Sequence, residues 1–283
     1  MLNADAIREH LGGRWPNAEL RTLGSVTSTN DIAWAWAEAG CPEGTAVLAE
    51  EQVRGRGRFG RTWHCPRGRG VLLSVVLRPP SPEVSPAHLT ATASLAVAEA
   101  IEPETGLTAA LRWPNDVTVN GRKVAGILVE RRVVGASGPL APSATSEPLV
   151  ATAPCIVGIG LNVNTRLDEL PDDVRGTATS LALEAGTEFS RERLAAAVLN
   201  RLGDRYADVL AGQWLTVASL WQRRASLVGQ TVTVTFRART YEGRVLHADP
   251  LGRIEIELAG GERREFRAEH ASLALAPSVA QPR

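Results

Sequence analysis

Apolar and polar positions alternate with different periods along the chain, and the changes of period mark out its elements. Residues 3–12 predict a short helix, and the loosely alternating AELRTLGSV (18–26) predicts a strand. STNDIAWAWAEAG (28–40) opens on hydroxyl residues suited to an N-cap and closes on Gly40, suited to a C-cap. GTAVLAEE (44–51) reads as a strand, and a Gly/Arg loop follows at 54–61. GVLLSVVLRP (70–79) is a continuous apolar run of strand length, expected to be buried on both faces. SPAHLTATASLAVAEAIE (85–102) is an Ala-rich helix with Pro86 near its start.

The clearest hairpin is AALRWPNDVTVNGRKVAGILVERRVV, in which Asn120-Gly121 favours a type I′ turn between two β-rich runs. Residues 135–154 are rich in Ala, Ser and Pro and read as a flexible excursion between paired strands. CIVGIGLNVN (155–164) is the next strand, and 190–225 is helical, with Leu194, Val198 and Leu202 on one face. Beyond Ala225 the pattern becomes short alternating strands with Gly and Asp-Pro turns, a small β-barrel. The expected organisation is a large α/β unit over 1–225, a barrel over 226–276 and a tail over 277–283.

Composition narrows the function classes. Acidic and basic residues balance at 31 each, so no global charge argues for nucleic acid or an anionic membrane. No run approaches the roughly 20 apolar residues of a membrane span, and the acidic, amphipathic N-terminus is no secretory signal. Cys41, Cys65 and Cys155 form no CxxC pair, which argues against a zinc site or a disulfide framework and suits a reduced, cytoplasmic setting. The cations are uneven in kind: thirty are Arg and one, Lys123, is Lys.

Four segments carry candidate chemistry. In RGRGRFGR (54–61) glycines let the backbone approach a ligand, and guanidinium groups suit phosphate or carboxylate. The loop lies between a strand ending in Glu50, Glu51 and Gln52 and Trp63, as an anion-binding loop would. A plain basic loop or an RGG-like nucleic-acid segment has the same composition. In RWPNDVTVNGRK (112–123), Asn115 and Asp116 supply short polar groups at a Trp-Pro bend; they are either turn-formers or, beside a phosphate site, ligands for magnesium. GIGLNVN (158–164) has small residues against which a flat ring could pack, and its Asn residues could read an adenine edge, although the GxGxxG spacing is absent. TSTN (27–30) either caps a helix or binds a polar ligand at its N-terminus.

Together, STN, EEQVRGRGRFGRTW, LRWPNDVTVNGRKVAGILVE and GIGLNVN, in this order and followed by a small β-barrel, resemble the biotin protein ligase family over roughly residues 24–275. The resemblance implies an α/β catalytic domain with a mixed sheet, of the class II aminoacyl-tRNA synthetase and biotin–lipoate ligase type, followed by an SH3-like barrel. It implies a two-step reaction. Biotin and ATP with Mg2+ give biotinyl-5′-AMP and pyrophosphate, and the acyl group then passes to a lysine of a biotin carboxyl carrier domain. Ser28, Thr29, Asn30 and Gln52 would bind the ureido end of biotin. Arg56, Gly57 and Arg58 would line its carboxylate and the phosphate, and Arg61 would assist the triphosphate. Trp63, Asn162 and Asn164 would lie by the adenine. Asn115 and Asp116 would sit near the phosphates and metal, with Asp116 also steering the incoming lysine. Lys123 would touch both the biotin carboxylate and the α-phosphate.

The chemistry is coherent without the family. Joining a carboxylate to a phosphate brings two anions together, and preorganised cations offset their repulsion and stabilise the charge that develops. The substrate carboxylate and then the acceptor amine are the nucleophiles, so no Ser-His-Asp pattern is required. The sequence departs from the family in Phe59, where another cation would be usual, and too few residues precede STN for a winged helix-turn-helix. No DNA binding or membrane attachment is therefore expected, and homodimerisation would use an exposed sheet edge. A lipoate or octanoate ligase on the same fold is the alternative, and a nucleic-acid module using the Arg/Gly loop and the barrel is a second.

Overall fold

The computed structural model describes residues 1–15, 18–132, 153–225 and 227–275. The excursion predicted at 135–154 and the tail at 277–283 lie almost wholly outside them. The elements in chain order are α1 (Ala4–Arg8), β1 (Leu20–Val26), α2 (Thr29–Glu38), β2 (Ala46–Gln52) and β3 (Gly70–Leu77). Then come α3 (Pro86–Thr105), β4 (Ala110–Arg112), β5 (Asp116–Val119), β6 (Arg122–Arg131) and β7 (Cys155–Asn162). Helices α4 (Leu181–Ala185), α5 (Arg191–Leu210) and α6 (Trp214–Arg224) follow. The last five strands are β8 (Thr231–Phe236), β9 (Arg239–Ala248), β10 (Arg253–Leu258), β11 (Arg263–Arg267) and β12 (Ala271–Leu275).

The first seven strands form one mixed sheet in the order β1-β2-β3-β7-β6-β5-β4, with β1 and β2 parallel and the other pairs antiparallel. Helices α3 and α5 cover one face, where Leu73, Val75, Leu77, Val157, Ile159 and Leu161 meet buried residues such as Leu95, Ile101, Leu199 and Leu202. Helix α2 covers part of the other face, packing Ala33, Trp34 and Ala37 on Val47, Val76 and Ile156. Because β3 is covered on both sides, all eight of its residues are buried, as its unbroken apolar run predicts. The rest of the second face is open, and the candidate site lies there.

Two expected elements differ in the structure. The helical stretch 190–225 is two helices, because Gly212 takes φ 76 and lets the chain turn between α5 and α6. Helix α1 is half the expected length. The N-cap of α2 is also built differently. The Ser28 side chain makes no cap bond. Instead Gln52, at the end of β2, accepts from the Thr29 N–H at 2.7 Å and from the Thr29 hydroxyl at 3.0 Å.

The C-terminal strands form a separate five-stranded antiparallel sheet, β11-β10-β9-β8-β12, with Val232, Val234, Val245, Ile254, Ile256 and Phe266 buried inside it. Among the described residues no helix is long and apolar enough to cross a membrane.

A buried ion pair ties α5 to the sheet. Glu50 on β2, 5% exposed, accepts from Arg191 Nη1 at 3.0 Å, from Nη2 at 3.4 Å and from the Leu2 N–H. Burial alone would raise the carboxyl's pKa, but Arg191 and the Leu2 amide outweigh it and hold the group below its ordinary value of 4.5. A lowered folded-state pKa contributes stability above the unfolded value, and that stability is lost as pH falls through the folded value. Urea denaturation should therefore find Glu50→Gln less stable than the parent near neutrality. The gap should narrow as pH falls below about 4.5.

Candidate functional site

A cavity of about 900 Å3 opens on the uncovered face of the large sheet. That volume is ample for two small substrates side by side. Its floor is β7 and β6, where Gly158, Gly160 and Asn162 share a face at every second residue. Gly160 pairs with Gly126 of β6 and Leu72 of β3, and Gly158 pairs with Leu128 and Ser74. The glycines make the floor a flat trough. A Cβ on Gly160 would collide with the Trp63 indole, which lies directly on it, and one on Gly126 would come within 3.1 Å of the same ring.

One end of the trough is a compact polar cluster under the N-terminus of α2. Ser74 Oγ lies 2.6 Å from Asn30 Oδ1 and 2.7 Å from Thr29 Oγ1. Asn30 Nδ2 reaches the Leu128 carbonyl at 3.5 Å. Ser28, Thr29 and Asn30 are nearly fully buried, yet all three line the cavity with Gln52. The Ser28 hydroxyl has no hydrogen-bond partner among the described residues. Ser74 belongs to this cluster and was not singled out from the sequence. Its signal was a lone hydroxyl within an otherwise apolar buried strand.

The middle of the trough holds Lys123, and a β-bulge puts it there. Val117 pairs with Ala125 but Thr118 pairs with Lys123, so Val124 is an extra residue in β6. In a regular strand Lys123 and Gly126, three positions apart, would face opposite ways. The bulge turns Lys123 onto the face of Gly126 and Asp116. There its Nζ lies 2.6 Å from Asp116 Oδ1 and 5.4 Å from the centre of the Trp63 ring. Arg112 Nη2 approaches the other oxygen of Asp116 at 3.4 Å. The backbone of Lys123 is held from outside the sheet, its N–H donating to Thr177 O and its carbonyl accepting from the Thr179 N–H, both at 2.8 Å. Residues 170–178 thus form one wall of the cavity, a wall that sequence reasoning missed.

Asp116 does not fit a resident magnesium site. Both of its oxygens face cations, and among the described residues no three His, Cys, Asp or Glu side chains gather to hold an ion. As the side chains stand, Asp116 is engaged by Lys123 and Arg112 and is not left open. Magnesium arriving with a nucleotide would be held by phosphate oxygens with one or two carboxylates at most.

At the other end, Asn162 Nδ2 donates to Thr179 O at 3.0 Å, while its Oδ1 and the Trp63 Nε1 are buried without partners among the described residues. Unpaired buried polar atoms are costly, and two at one end of an open trough mark where a ligand would complete them. Asn164, expected beside Asn162, is elsewhere. Both ends of its amide bind the Phe189 backbone, donating to the carbonyl at 2.9 Å and accepting from the N–H at 3.0 Å, and it does not line the cavity. Asn164 pins the turn before α5.

The Gly/Arg loop forms the roof, and its arginines differ in fate. Arg56 binds Asp31 end-on through both terminal nitrogens, with Nη1–Oδ2 at 3.0 Å and Nη2–Oδ1 at 2.7 Å, and also reaches Glu130 at 3.3 Å. Its hydrogen bond holds the Asp31 carboxyl below the usual range. Arg58 is drawn into the seam with the small sheet, donating to Ala268 O, to Ala271 O at 3.3 Å and to Asn115 Oδ1 at 3.1 Å, and burial lowers its pKa. Asn115 in turn donates to Ile127 O at 2.8 Å. Arg61 is exposed at the mouth, its side chain without a hydrogen bond or ion pair among the described residues. Gly57 lines the cavity, and Phe59 sits exposed at the loop tip with φ 58, its ring over Arg58. The expected anion-binding loop is present, but two of its three candidate cations are bound to protein groups.

The Asp31–Arg56 pair is half-exposed, so it contributes on the order of 0.5–1 kcal/mol, or two- to fivefold in an equilibrium. An incoming anion must compete with that carboxylate for Arg56. Asp31→Asn should lower the KM for the anionic substrate by about that factor and leave kcat nearly unchanged, read from initial rates.

Three comparisons with known proteins bear on this site. The model of the biotin/lipoate A/B protein ligase family matches residues 23–138. A Mycobacterium tuberculosis biotin–[acetyl-CoA-carboxylase] ligase is 30% identical over 277 residues, covering 92% of this chain and 91% of that protein. The bifunctional ligase/repressor BirA of Bacillus subtilis is 32% identical over 244 residues, 86% of this chain and 71% of that one. Among solved structures, biotin protein ligase from Aquifex aeolicus in complex with biotin and ATP superposes with a TM-score of 0.74 at 27% identity. That match covers 91% of this chain and 99% of the Aquifex chain.

Proposed function

We propose the function from one premise: the chain belongs to the biotin protein ligase family. It is an ATP-dependent ligase that activates biotin with MgATP to biotinyl-5′-AMP, releasing pyrophosphate. It then transfers the acyl group to a lysine of a biotin carboxyl carrier domain of an acetyl-CoA or related acyl-CoA carboxylase. The fold is the mixed α/β fold of that family with a C-terminal antiparallel sheet of SH3-like type. We divide it into a catalytic unit over 1–225 and a small barrel over 226–276.

The trough supports this reading from end to end. Ser28, Thr29, Asn30 and Gln52 would take the ureido ring, whose carbonyl and two N–H groups need both donors and acceptors. The free Ser28 hydroxyl is available for one of them. The unpaired Asn162 Oδ1 would accept from the adenine amine, with Trp63 against the ring. Arg61 at the mouth would meet the triphosphate, and Arg56 and Arg58 would join it on leaving their protein partners. Lys123 carries the argument: an ammonium between the two ends, where carboxylate and α-phosphate must meet. A point charge there would offset the repulsion of the two anions and stabilise charge building on the α-phosphate. Asp116, beside Lys123, would orient it and then receive the acceptor amine. Closing the roof would exclude water from the adenylate. We place the protein in the cytoplasm, and an exposed sheet edge is the surface a homodimer would use.

The test is incubation with biotin, MgATP and an apo-carrier domain. One biotin should add to the carrier by mass, and pyrophosphate release should depend on biotin. Equal release with lipoate would assign the alternative substrate, and no release with either would refute the reading.

A further inference from the structure

A guanidinium fork is needed where it makes two directed bonds, and the structure shows where this chain uses it so, as at Arg56 on Asp31. Other arginines have no such task. The side chains of Arg54, Arg61, Arg239, Arg263 and Arg267 make no hydrogen bond or ion pair among the described residues. A lysine would serve the fold equally there, yet none is found. The one lysine of the sequence lies inside the cavity, its Nζ on Asp116 and beneath Trp63.

We propose that this arginine usage makes the protein refractory to acylation by its own biotinyl-5′-AMP, an inference that rests on the activity proposed above. An acyl adenylate is a mixed anhydride. A neutral amine attacks its acyl carbon, an amide bond forms, the bond from acyl carbon to phosphate oxygen breaks, AMP leaves, and the amine's proton passes to solvent. Lysines around the mouth would meet the intermediate at the highest local concentration and would be acylated first. A guanidinium stays protonated in proteins and offers no free lone pair. Lys123 is close enough to react, but as the ammonium partner of Asp116 it too has no lone pair to give. The side-chain amine that the intermediate meets is then the carrier's lysine, and a slow encounter with the carrier leaves the ligase unmarked.

The experiment maps side-chain biotin adducts by peptide mass spectrometry. The full chain is incubated without carrier, once with biotin and MgATP and once with added synthetic biotinyl-5′-AMP. The parent protein should show no side-chain adduct in either arm. Arg54→Lys, exposed two residues before the cavity-lining Arg56, should carry biotin at position 54 at about ten times the level of any parent side chain. Adducts on Lys123 or elsewhere in the parent would overturn the proposal. So would a clean Arg54→Lys protein under added adenylate. Arg263→Lys, on the small sheet, supplies a second position should the first variant be unstable. Pyrophosphate release is read in parallel. Its absence would refute the proposed activity, while the added-adenylate arm would still decide this inference.

Discussion

Lys123→Arg should slow biotin-dependent pyrophosphate release about 100-fold, although it keeps the charge. The ammonium occupies a tight niche. Asp116 Oδ1 is 2.6 Å away, the Trp63 ring lies over it, and a mere methyl on Gly126 would come within 3.2 Å of Nζ. A planar fork is longer and wider than that niche and would bind Asp116 side-on, pulling its charge away from the meeting point of the two anions. The loss should fall on kcat, because the interaction matters most as charge grows on the α-phosphate. Stability should change by no more than about 1 kcal/mol, since Lys123 is partly exposed and its backbone bonds do not depend on the side chain. Calorimetric melting beside the initial-rate assay would separate the two effects. A variant that turns over like the parent would remove Lys123 from the chemistry.

A second large effect should come from single methyl groups on the trough floor, and it should divide the two substrates. A Cβ on Gly158 would run into Asn30 Oδ1 and lie 3.0 Å from the rest of that amide. Asn30 cannot retreat freely, because Ser74 and the Leu128 carbonyl hold it. Overpacking of this kind costs about 1–3 kcal/mol. Here it should appear as biotin binding weakened about 10- to 100-fold, with nucleotide binding largely kept. On Gly160 the collision is with Trp63, whose Nε1 has no partner to hold it. Gly160→Ala should therefore displace the indole and weaken ATP more than biotin. Titration calorimetry with each ligand on each variant would check the crossed pattern. Equal losses for both ligands in both variants would mean that the trough is not divided in this way.

Much of this site was legible in the sequence because its parts are local. The Asn120-Gly121 turn, the glycines of GIGLNVN and the hydroxyls before α2 announce themselves by residue type. What was not legible depends on pairing across the sheet. Nothing in NGRKVAG reveals that Val124 is an extra residue, yet that bulge decides which way Lys123 points. Ser74 falls inside a run that reads as apolar throughout, and only the packing of α2 against β3 gives its hydroxyl the partners Thr29 and Asn30. Asn162 and Asn164 share a face by alternation, but the strand ends at Asn162 and the next residues turn toward α5. The arginines of the loop read alike, while only the fold shows that Asp31 claims one and the carbonyls of the small sheet another.

The two backbone bonds that clasp Lys123 have a temporal consequence. The wall at 177–179 is joined to Lys123 by two hydrogen bonds, so the wall cannot swing away from the floor without freeing both the N–H and the carbonyl of Lys123. If spent AMP leaves by that route, departure of product and disarming of the cation are one event. The next turnover cannot begin until the wall reseats. The position of the wall and the position of the cation are thus coupled by two backbone hydrogen bonds, with no separate signal needed.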